Sequence, residues 1–242
     1  MPFVKGRLSN IRVVFLDAAG TIFDLRGSVG EIYCRFARRH GAAADPGALQ
    51  SKFVEAFSQM PPLVFPGLQG PVLLAAERDW WRALVRQVFG REMTGEVFER
   101  FFGDLFEAFR GSECWQLFPD THGSLERLRA RGCRLGVISN FDSRLYDVLA
   151  SLKIDSLLDY VVVSSRAGAA KPDPAIFQAA LASAKVKAAE ALHVGDSLRA
   201  DVRGAQGAGL AAVLMDPQGK QPDVPGGWRV RSLSELCALL GA

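Results

Sequence analysis

Four groups of reactive side chains stand at wide intervals along the 242-residue chain. Asp17 is followed by Gly20 and Thr21, Ser139 by Asn140, Lys171 by Pro172-Asp173-Pro174, and the run Gly195-Asp196-Ser197 by Asp201. Together they suit phosphoryl transfer through a covalent aspartate. A carboxylate can attack phosphorus to form an acyl phosphate, which divides one difficult displacement into two easier ones. Most of the remaining catalysis is positioning and charge stabilisation. Asp17 and Asp196 offer hard oxygen ligands for Mg²⁺, which takes one or two carboxylates together with waters and phosphate oxygens. Lys171 supplies a cation that lets an anionic substrate approach anionic Asp17. Ser139, with its own N–H and that of Asn140, can hold phosphoryl oxygens. Taken singly, each residue has a plainer reading, as a turn aspartate, a solvated lysine or a first-turn helix acid. Their shared position is what makes them a set, because each group follows the end of a short apolar run.

Those runs are Ile11 to Leu16, Cys133 to Ile138, Tyr160 to Val163, Ala191 to Val194 and Leu210 to Met215. They are rich in Val, Ile, Leu and Ala and read as buried strands. Amphipathic helices are predicted between them. Leu145, Val148, Leu149 and Leu152 recur at helical spacing behind Asp142 and Ser143, either of which suits a cap. Pro174 behind Asp173 opens a helix over 175–184, and Asp120 caps a helix that Gly132 ends. Ser232 with Glu235 is a capping-box pattern opening the last helix, Leu233 to Leu240. Strands alternating with helices imply a mostly parallel sheet wound on both faces, whose ligands bind beyond the carboxyl ends of the strands.

Residues 26–115 break that rhythm and show no strand. Helical stripes pass through Leu49, Phe53 and Phe57, through Trp81, Leu84, Val85 and Val88, and through Phe98, Phe101, Phe102, Leu105, Phe106 and Phe109. Met60 to Pro71, with its prolines and glycines, reads as a loop. An all-helical insert after the first strand of an α/β domain is the arrangement of a lid. The chain is therefore divided into a core of residues 1–25 and 116–242 and a helical cap of 26–115, whose aromatic stripes are expected to form the cap's own interior.

Composition narrows the function classes. Apolar residues make up 49% and charged residues 23% of the chain, so it is globular. The 29 basic and 26 acidic residues are dispersed, which gives no footprint for nucleic acid or a membrane surface and says nothing about oligomeric state. Cys34, Cys114, Cys133 and Cys237 show neither disulfide nor zinc spacing. Met1 to Asn10 is not followed by a stretch of signal-peptide character, and no apolar run is long enough to span a bilayer. The expectation is a cytoplasmic protein with a small-molecule partner.

The sequence resembles the haloacid dehalogenase-like (HAD) hydrolase superfamily, in the branch with a helical cap after the first motif. The resemblance rests on Asp17-Ala18-Ala19-Gly20-Thr21, Val137-Ile138-Ser139-Asn140, Lys171-Pro172-Asp173-Pro174 and His193-Val194-Gly195-Asp196-Ser197 with Asp201. Ser139-Asn140-Phe141-Asp142, the continuation to Leu198, and Gly30-Glu31-Ile32-Tyr33 look like the rhythmically-expressed-gene-like subfamily. The resemblance implies a Rossmann-like core and Mg²⁺ as cofactor. It makes Asp17 the nucleophile, Thr21 and Ser139 phosphoryl-site residues, Lys171 the charge-neutralising partner and Asp196 a metal ligand. Asp201 would be an acid supporting either the metal or Lys171.

One position departs from the pattern. Family phosphatases carry a second Asp two residues after the nucleophile, and it protonates the leaving oxygen and then activates water. Here that position is Ala19. Its backbone carbonyl still suits Mg²⁺, but acid–base catalysis worth roughly 10²- to 10⁴-fold has lost its usual source. Four accounts follow. Asp24, Glu31 or Tyr33 supplies the proton; or the substrate has a leaving group that needs no acid; or the reaction is of the haloacid or phosphonate type; or the scaffold is a phospho-ligand or protein-binding module. The phosphonate version would need a cap lysine as Schiff base, and Lys52 is the cap's one lysine. The leading expectation is a Mg²⁺-dependent phosphatase acting on a small phosphorylated metabolite.

Overall fold

The computed structural model describes residues 8, 10–91, 93–222 and 228–242, so most of the Met1 to Asn10 segment lies outside the described residues. In chain order the elements are β1 (Val13–Leu16), β2 (Phe23–Leu25), α1 (Val29–Arg39), α2 (Pro46–Gln59), α3 (Gly70–Phe89), α4 (Gly95–Ala108) and β3 (Trp115–Leu117). There follow α5 (Thr121–Ala130), β4 (Arg134–Ser139), α6 (Arg144–Ser151), β5 (Tyr160–Val163), α7 (Ser164–Ala167) and α8 (Pro174–Ala184). The chain closes with β6 (Ala191–Gly195), a π-helical turn Leu198–Arg203, α9 (Gly204–Gly207), β7 (Ala211–Met215), β8 (Trp228–Val230) and α10 (Leu233–Leu240).

Six strands form one parallel sheet in the order β5-β4-β1-β6-β7-β8. The central strands are mostly apolar because both faces are covered, with His193 of β6 a buried exception. Val13 and Phe15 pack with Ile176, Phe177 and Ala180 of α8, while Val14 and Leu16 belong to the cluster containing Leu125 of α5 and Leu236 of α10. Successive strands are added on opposite sides of β1, with β4 on one side and β6 on the other, so Asp17, Ser139 and Asp196 stand together at the carboxyl ends of three neighbouring central strands.

Local chemistry matches most predicted helix ends. Asp173 accepts the Ala175 N–H at 2.9 Å, with Pro174 as the first residue of α8. Ser232 Oγ accepts the Glu235 N–H at 3.2 Å, but the Glu235 carboxylate reaches back to Arg231 N rather than to Ser232. Asp120 heads α5, yet its carboxylate accepts the Ser234 N–H of the last helix instead of capping its own. The predicted loop ends earlier than Pro71, since Gly70 and Pro71 begin α3, where a first-turn proline costs no hydrogen bond.

The reading of 26–115 as free of strands needs amending at its edge. Phe23–Leu25 and Trp115–Leu117 pair antiparallel, with Phe23 opposite Leu117 and Leu25 opposite Trp115. The chain thus leaves the sheet layer and returns to it through two adjacent strands, and α1 to α4 lie between them. Three-residue strands carry too few side chains to show a period. α1 is started by a full capping box, Ser28 N–H to Glu31 Oε2 at 2.7 Å and Glu31 N–H to Ser28 Oγ at 3.1 Å. It crosses α2 so closely at Gly30 that a Cβ there would stand 2.0 Å from the Pro46 carbonyl oxygen. No helix among the described residues is long and apolar enough to cross a membrane. All four cysteines are buried free thiols.

Candidate active site

Asp17 ends β1, and its N–H donates to Val194 O at 2.8 Å, which fixes the turn against β6. Its Oδ1 accepts the Ala18 N–H at 2.7 Å and stands 2.8 Å from Lys171 Nζ. Lys171 Nζ is also 2.6 Å from Asp201 Oδ1. The lysine is held from behind by Asn140, whose carboxamide donates to Lys171 O at 2.9 Å and accepts Lys171 N–H at 2.7 Å, beside the cis Lys171–Pro172 peptide. Asp201 accepts on both oxygens: Oδ2 takes the Ser197 N–H at 2.9 Å, and Oδ1 is 2.9 Å from His193 Nε2. A carboxylate only accepts, so the His193 proton belongs on Nε2.

Two glycines make this packing possible. A Cβ on Gly195 would lie 2.2 Å from Asp201 Cγ, and one on Gly20, whose φ is +81°, would lie 2.5 Å from Asp196 Oδ2. Any side chain at either position would push a carboxylate out of the cluster.

The electrostatics follow from burial. Burial alone would lower the Lys171 pKa, but the facing carboxylates of Asp17 and Asp201 outweigh it and hold the ammonium charged. Burial opposes ionisation of Asp201 as well, and Lys171 with the His193 hydrogen bond reverses that and holds its pKa below the usual carboxylate range. Asp196 lacks such a partner. Burial, together with the negative charges of Asp17 and Asp201, pushes it up to about 6.

That imbalance is the test of a metal. Ligand oxygens of Asp17, Asp196 and Asp201 all lie within 4.8 Å of one another. Asp201 has both oxygens engaged, so it supports Lys171 rather than a metal directly. Asp17 and Asp196 remain, and no backbone N–H among the described residues donates to the Ala19 carbonyl. Hard oxygens and an uncompensated negative charge fit a divalent cation such as Mg²⁺.

The remaining predicted residues are less uniform. Ser139 is buried at the end of β4. Thr21, in the turn after β1, is only 1% exposed, and its hydroxyl has no hydrogen-bond partner. Asn140 meets the cavity, but its carboxamide is committed to Lys171. Of the three candidate proton donors, Glu31 is tied up in the α1 capping box and Tyr33 is a buried phenol whose pKa burial raises further. Asp24 alone lines the cavity as an exposed carboxylate. Lys52 borders a separate surface depression with Gln87 and Arg91.

The cavity itself, of about 950 Å³, lies between the cap helices and the strand ends. It is lined by Ala19, Asn140, Lys171 and Ser197 from the sheet side and by aromatic rings from the cap. The expectation that the cap aromatics form only the cap's interior therefore holds for Phe98 and Phe101 but not for Phe53, Phe57, Trp81 or Phe106, which line the cavity. A buried set of contacts braces its wall. Trp81 Nε1 donates to the Asp142 carboxylate, Arg144 Nη2 stands 2.7 Å from Asp142 Oδ2, and Ser143 N and Oγ donate to Glu77 Oε1 at 3.1 and 2.9 Å. Sequence reasoning gave Asp142 only a capping role and missed Glu77 and Arg144. His193 stood inside a named motif without a function; a polar residue within an apolar strand was the available signal.

The chain matches the haloacid dehalogenase-like hydrolase family over residues 11–209, and it belongs to that family. Within it, the chain falls in the rhythmically-expressed-gene-like branch. It is 33% identical over 237 residues to haloacid dehalogenase-like hydrolase domain-containing protein 3 of Danio rerio, covering 95% of this chain and 96% of that one. It is 31% identical over 222 residues to the rhythmically expressed gene 2 protein of Drosophila melanogaster, covering 86% of this chain and 84% of that one. Among solved structures it is similar to a 2-haloacid dehalogenase from Pseudomonas syringae pv. Tomato DC3000, with TM-score 0.69, 26% identity and coverage of 96% of this chain and 98% of that one.

The raised Asp196 pKa gives a prediction with a definite sign. A carboxyl whose folded pKa of about 6 exceeds its ordinary 3.8 costs stability as pH rises from the lower value through the higher. At pH 7.5 without metal, Asp196→Asn is expected to melt at a higher temperature than the wild type. Mg²⁺ should raise the wild-type Tm at pH 7.5, do so less at pH 5, and leave Asp196→Asn unmoved. A thermal melt series in which Mg²⁺ stabilises the Asn variant as strongly as the wild type would remove Asp196 from the metal site.

Proposed function

We propose that the protein is a Mg²⁺-dependent phosphatase that acts on a small phosphorylated molecule through an aspartyl phosphate on Asp17. The observation that carries this reading is the placement of Lys171 Nζ, 2.8 Å from Asp17 Oδ1 and 2.6 Å from Asp201 Oδ1. One carboxylate is then available to attack while the other, fixed by Ser197 and His193, holds the cation in place. Lys171 offsets the charge of an incoming phosphate, and the strand-end N–H groups at Ser139 and Asn140 orient its oxygens. Asp17, Asp196 and the Ala19 carbonyl would hold Mg²⁺, which would supply charge neutralisation at the phosphoryl oxygens. The cap of residues 26–115 covers the core of 1–25 and 116–242, which keeps bulk water from the intermediate.

Two other hydrolytic readings fare less well. A haloacid reaction of the metal-free kind leaves the Asp196 carboxylate without a role, and a 950 Å³ cavity greatly exceeds a small 2-haloacid. A Schiff-base reaction lacks its lysine, since Lys52 is not part of the cavity wall. A binding role is favoured by one feature, the methyl group of Ala19 where the proton-transferring carboxylate is expected.

The discriminating experiment is a time course with 4-nitrophenyl phosphate at high enzyme concentration, with and without Mg²⁺. Its leaving group departs without a proton. The expected trace is a Mg²⁺-dependent burst of one equivalent followed by slow turnover, absent in Asp17→Asn. Binding of the ester with no nitrophenolate released would establish the binding role instead. Ala19→Asp is expected to raise the steady-state rate at least roughly tenfold. No gain in a folded Ala19→Asp variant would mean that another group already transfers the proton.

A further inference from the structure

From the missing acid and the character of the cavity wall, we infer that the substrate is an aryl phosphate, a monoester whose leaving group is a phenol carried on a flat aromatic body. This rests on the phosphatase reading and specifies its substrate class. The two observations behind it are independent, one at the strand ends and one on the cap side of the cavity.

At the reacting end, Ala19 offers no proton to the departing oxygen, and of the carboxylates singled out to replace it only Asp24 reaches the cavity. That carboxylate already accepts the Leu25 N–H at 2.7 Å. Without an acid at position 19, the rate depends more on how well the leaving oxygen carries negative charge. A phenol, with a pKa of about 10, leaves far more readily than an alkanol or a sugar hydroxyl, whose acidity lies nearer that of water at about 16.

On the cap side, the wall is built mainly of rings. Phe53 and Phe57 stack at 5.4 Å, Phe57 meets Trp80 edge-on at 6.0 Å, and Trp80 meets Trp81 at 4.9 Å. The indole N–H groups are all turned to the protein: Trp80 donates to Pro61 O, Trp81 to Asp142 and Trp115 to Phe109 O. Arg144 is likewise committed to Asp142 and Phe106 O. A sugar placed against these rings would lose hydrogen bonds to water that neither the indoles nor Arg144 could replace. An aromatic body would extend the ring lattice by offset or edge contacts. Phe57, 47% exposed although it lines the cavity, is the ring with the most surface still open to a guest.

The chemistry balances without a further reactant. An Asp17 oxygen bonds to phosphorus, the phosphorus–aryl oxygen bond breaks, and the phenolate leaves with the electron pair and takes a proton from solvent. Water then attacks phosphorus, the acyl-phosphate bond breaks, and inorganic phosphate and the Asp17 carboxylate are released, with the water's proton passing to solvent.

The test compares kcat/KM for 1-naphthyl, phenyl, hexyl and hexose phosphates in the presence of Mg²⁺. Acetyl phosphate serves as a small control whose carboxylate leaving group needs neither the aromatic wall nor an acid. The expected order is naphthyl above phenyl above hexyl, with naphthyl over hexyl by roughly 100-fold or more, and hexose phosphate lowest. Phe57→Ala, checked for an unchanged circular dichroism spectrum, is expected to reduce the naphthyl-to-phenyl ratio about fivefold. Equal rates for aryl and alkyl esters, a preference for hexose phosphate, or an unchanged ratio in Phe57→Ala would overturn the aryl assignment. If acetyl phosphate is still consumed through Asp17 in that case, the phosphatase reading stands; if Asp17-dependent turnover is lacking for acetyl phosphate as well, both fall.

Discussion

Lys171 carries an ammonium with only 2% of its side chain exposed, and such a charge survives burial only when opposite charges surround it. Much of the site can be understood as the means of meeting that requirement. Asp17 and Asp201 flank the nitrogen, Asn140 grips the lysine backbone on two sides, and Ser197 and His193 fix Asp201. Gly195 is without a side chain where Asp201 must approach. Removing one carboxylate would leave a buried charge uncompensated, so these residues stand or fall together. The surplus negative charge then collects on Asp196, which is the physical basis for expecting a divalent cation beside it.

Buried contacts couple the cap to this arrangement, and Ser164 Oγ donates to Leu63 O at 2.8 Å. Glu77 and Trp81 of α3 meet Ser143 and Asp142 at the start of α6, and Arg144 spans from Asp142 to the Phe106 carbonyl of α4. The helix that follows the Ser139 strand is thereby fixed to the wall of the cavity. The strand-end residues and the aromatic wall are held in one frame, and the two-stranded β2–β3 link is where the chain passes between core and cap.

The long central strands were legible because strands covered on both faces are continuous apolar runs. β2, β3 and β8, three residues each, were not, since so short a stretch has no pattern to read. The chemical groups were legible as strand-end residues, but their pairing was not: Lys171 and Asp201 are thirty residues apart and meet only because the β6 end folds back on the loop before α8. Helical periodicity identified the cap's aromatic stripes correctly, yet it says nothing about what a stripe faces. Phe98 faces the cap interior, whereas Phe57 and Trp81 face open space.

The central claim is that Asp17, held beside a buried lysine, is a covalent nucleophile toward phosphorus. The most direct measurement is acid quenching of the enzyme within one turnover of an aryl phosphate, followed by mass spectrometry of the intact chain and of its peptides. The account predicts one added phosphoryl group, labile to hydroxylamine as an acyl phosphate should be, on the peptide that carries Asp17. An unmodified chain quenched while product is being released, or a phosphoryl group on any other residue, would contradict it.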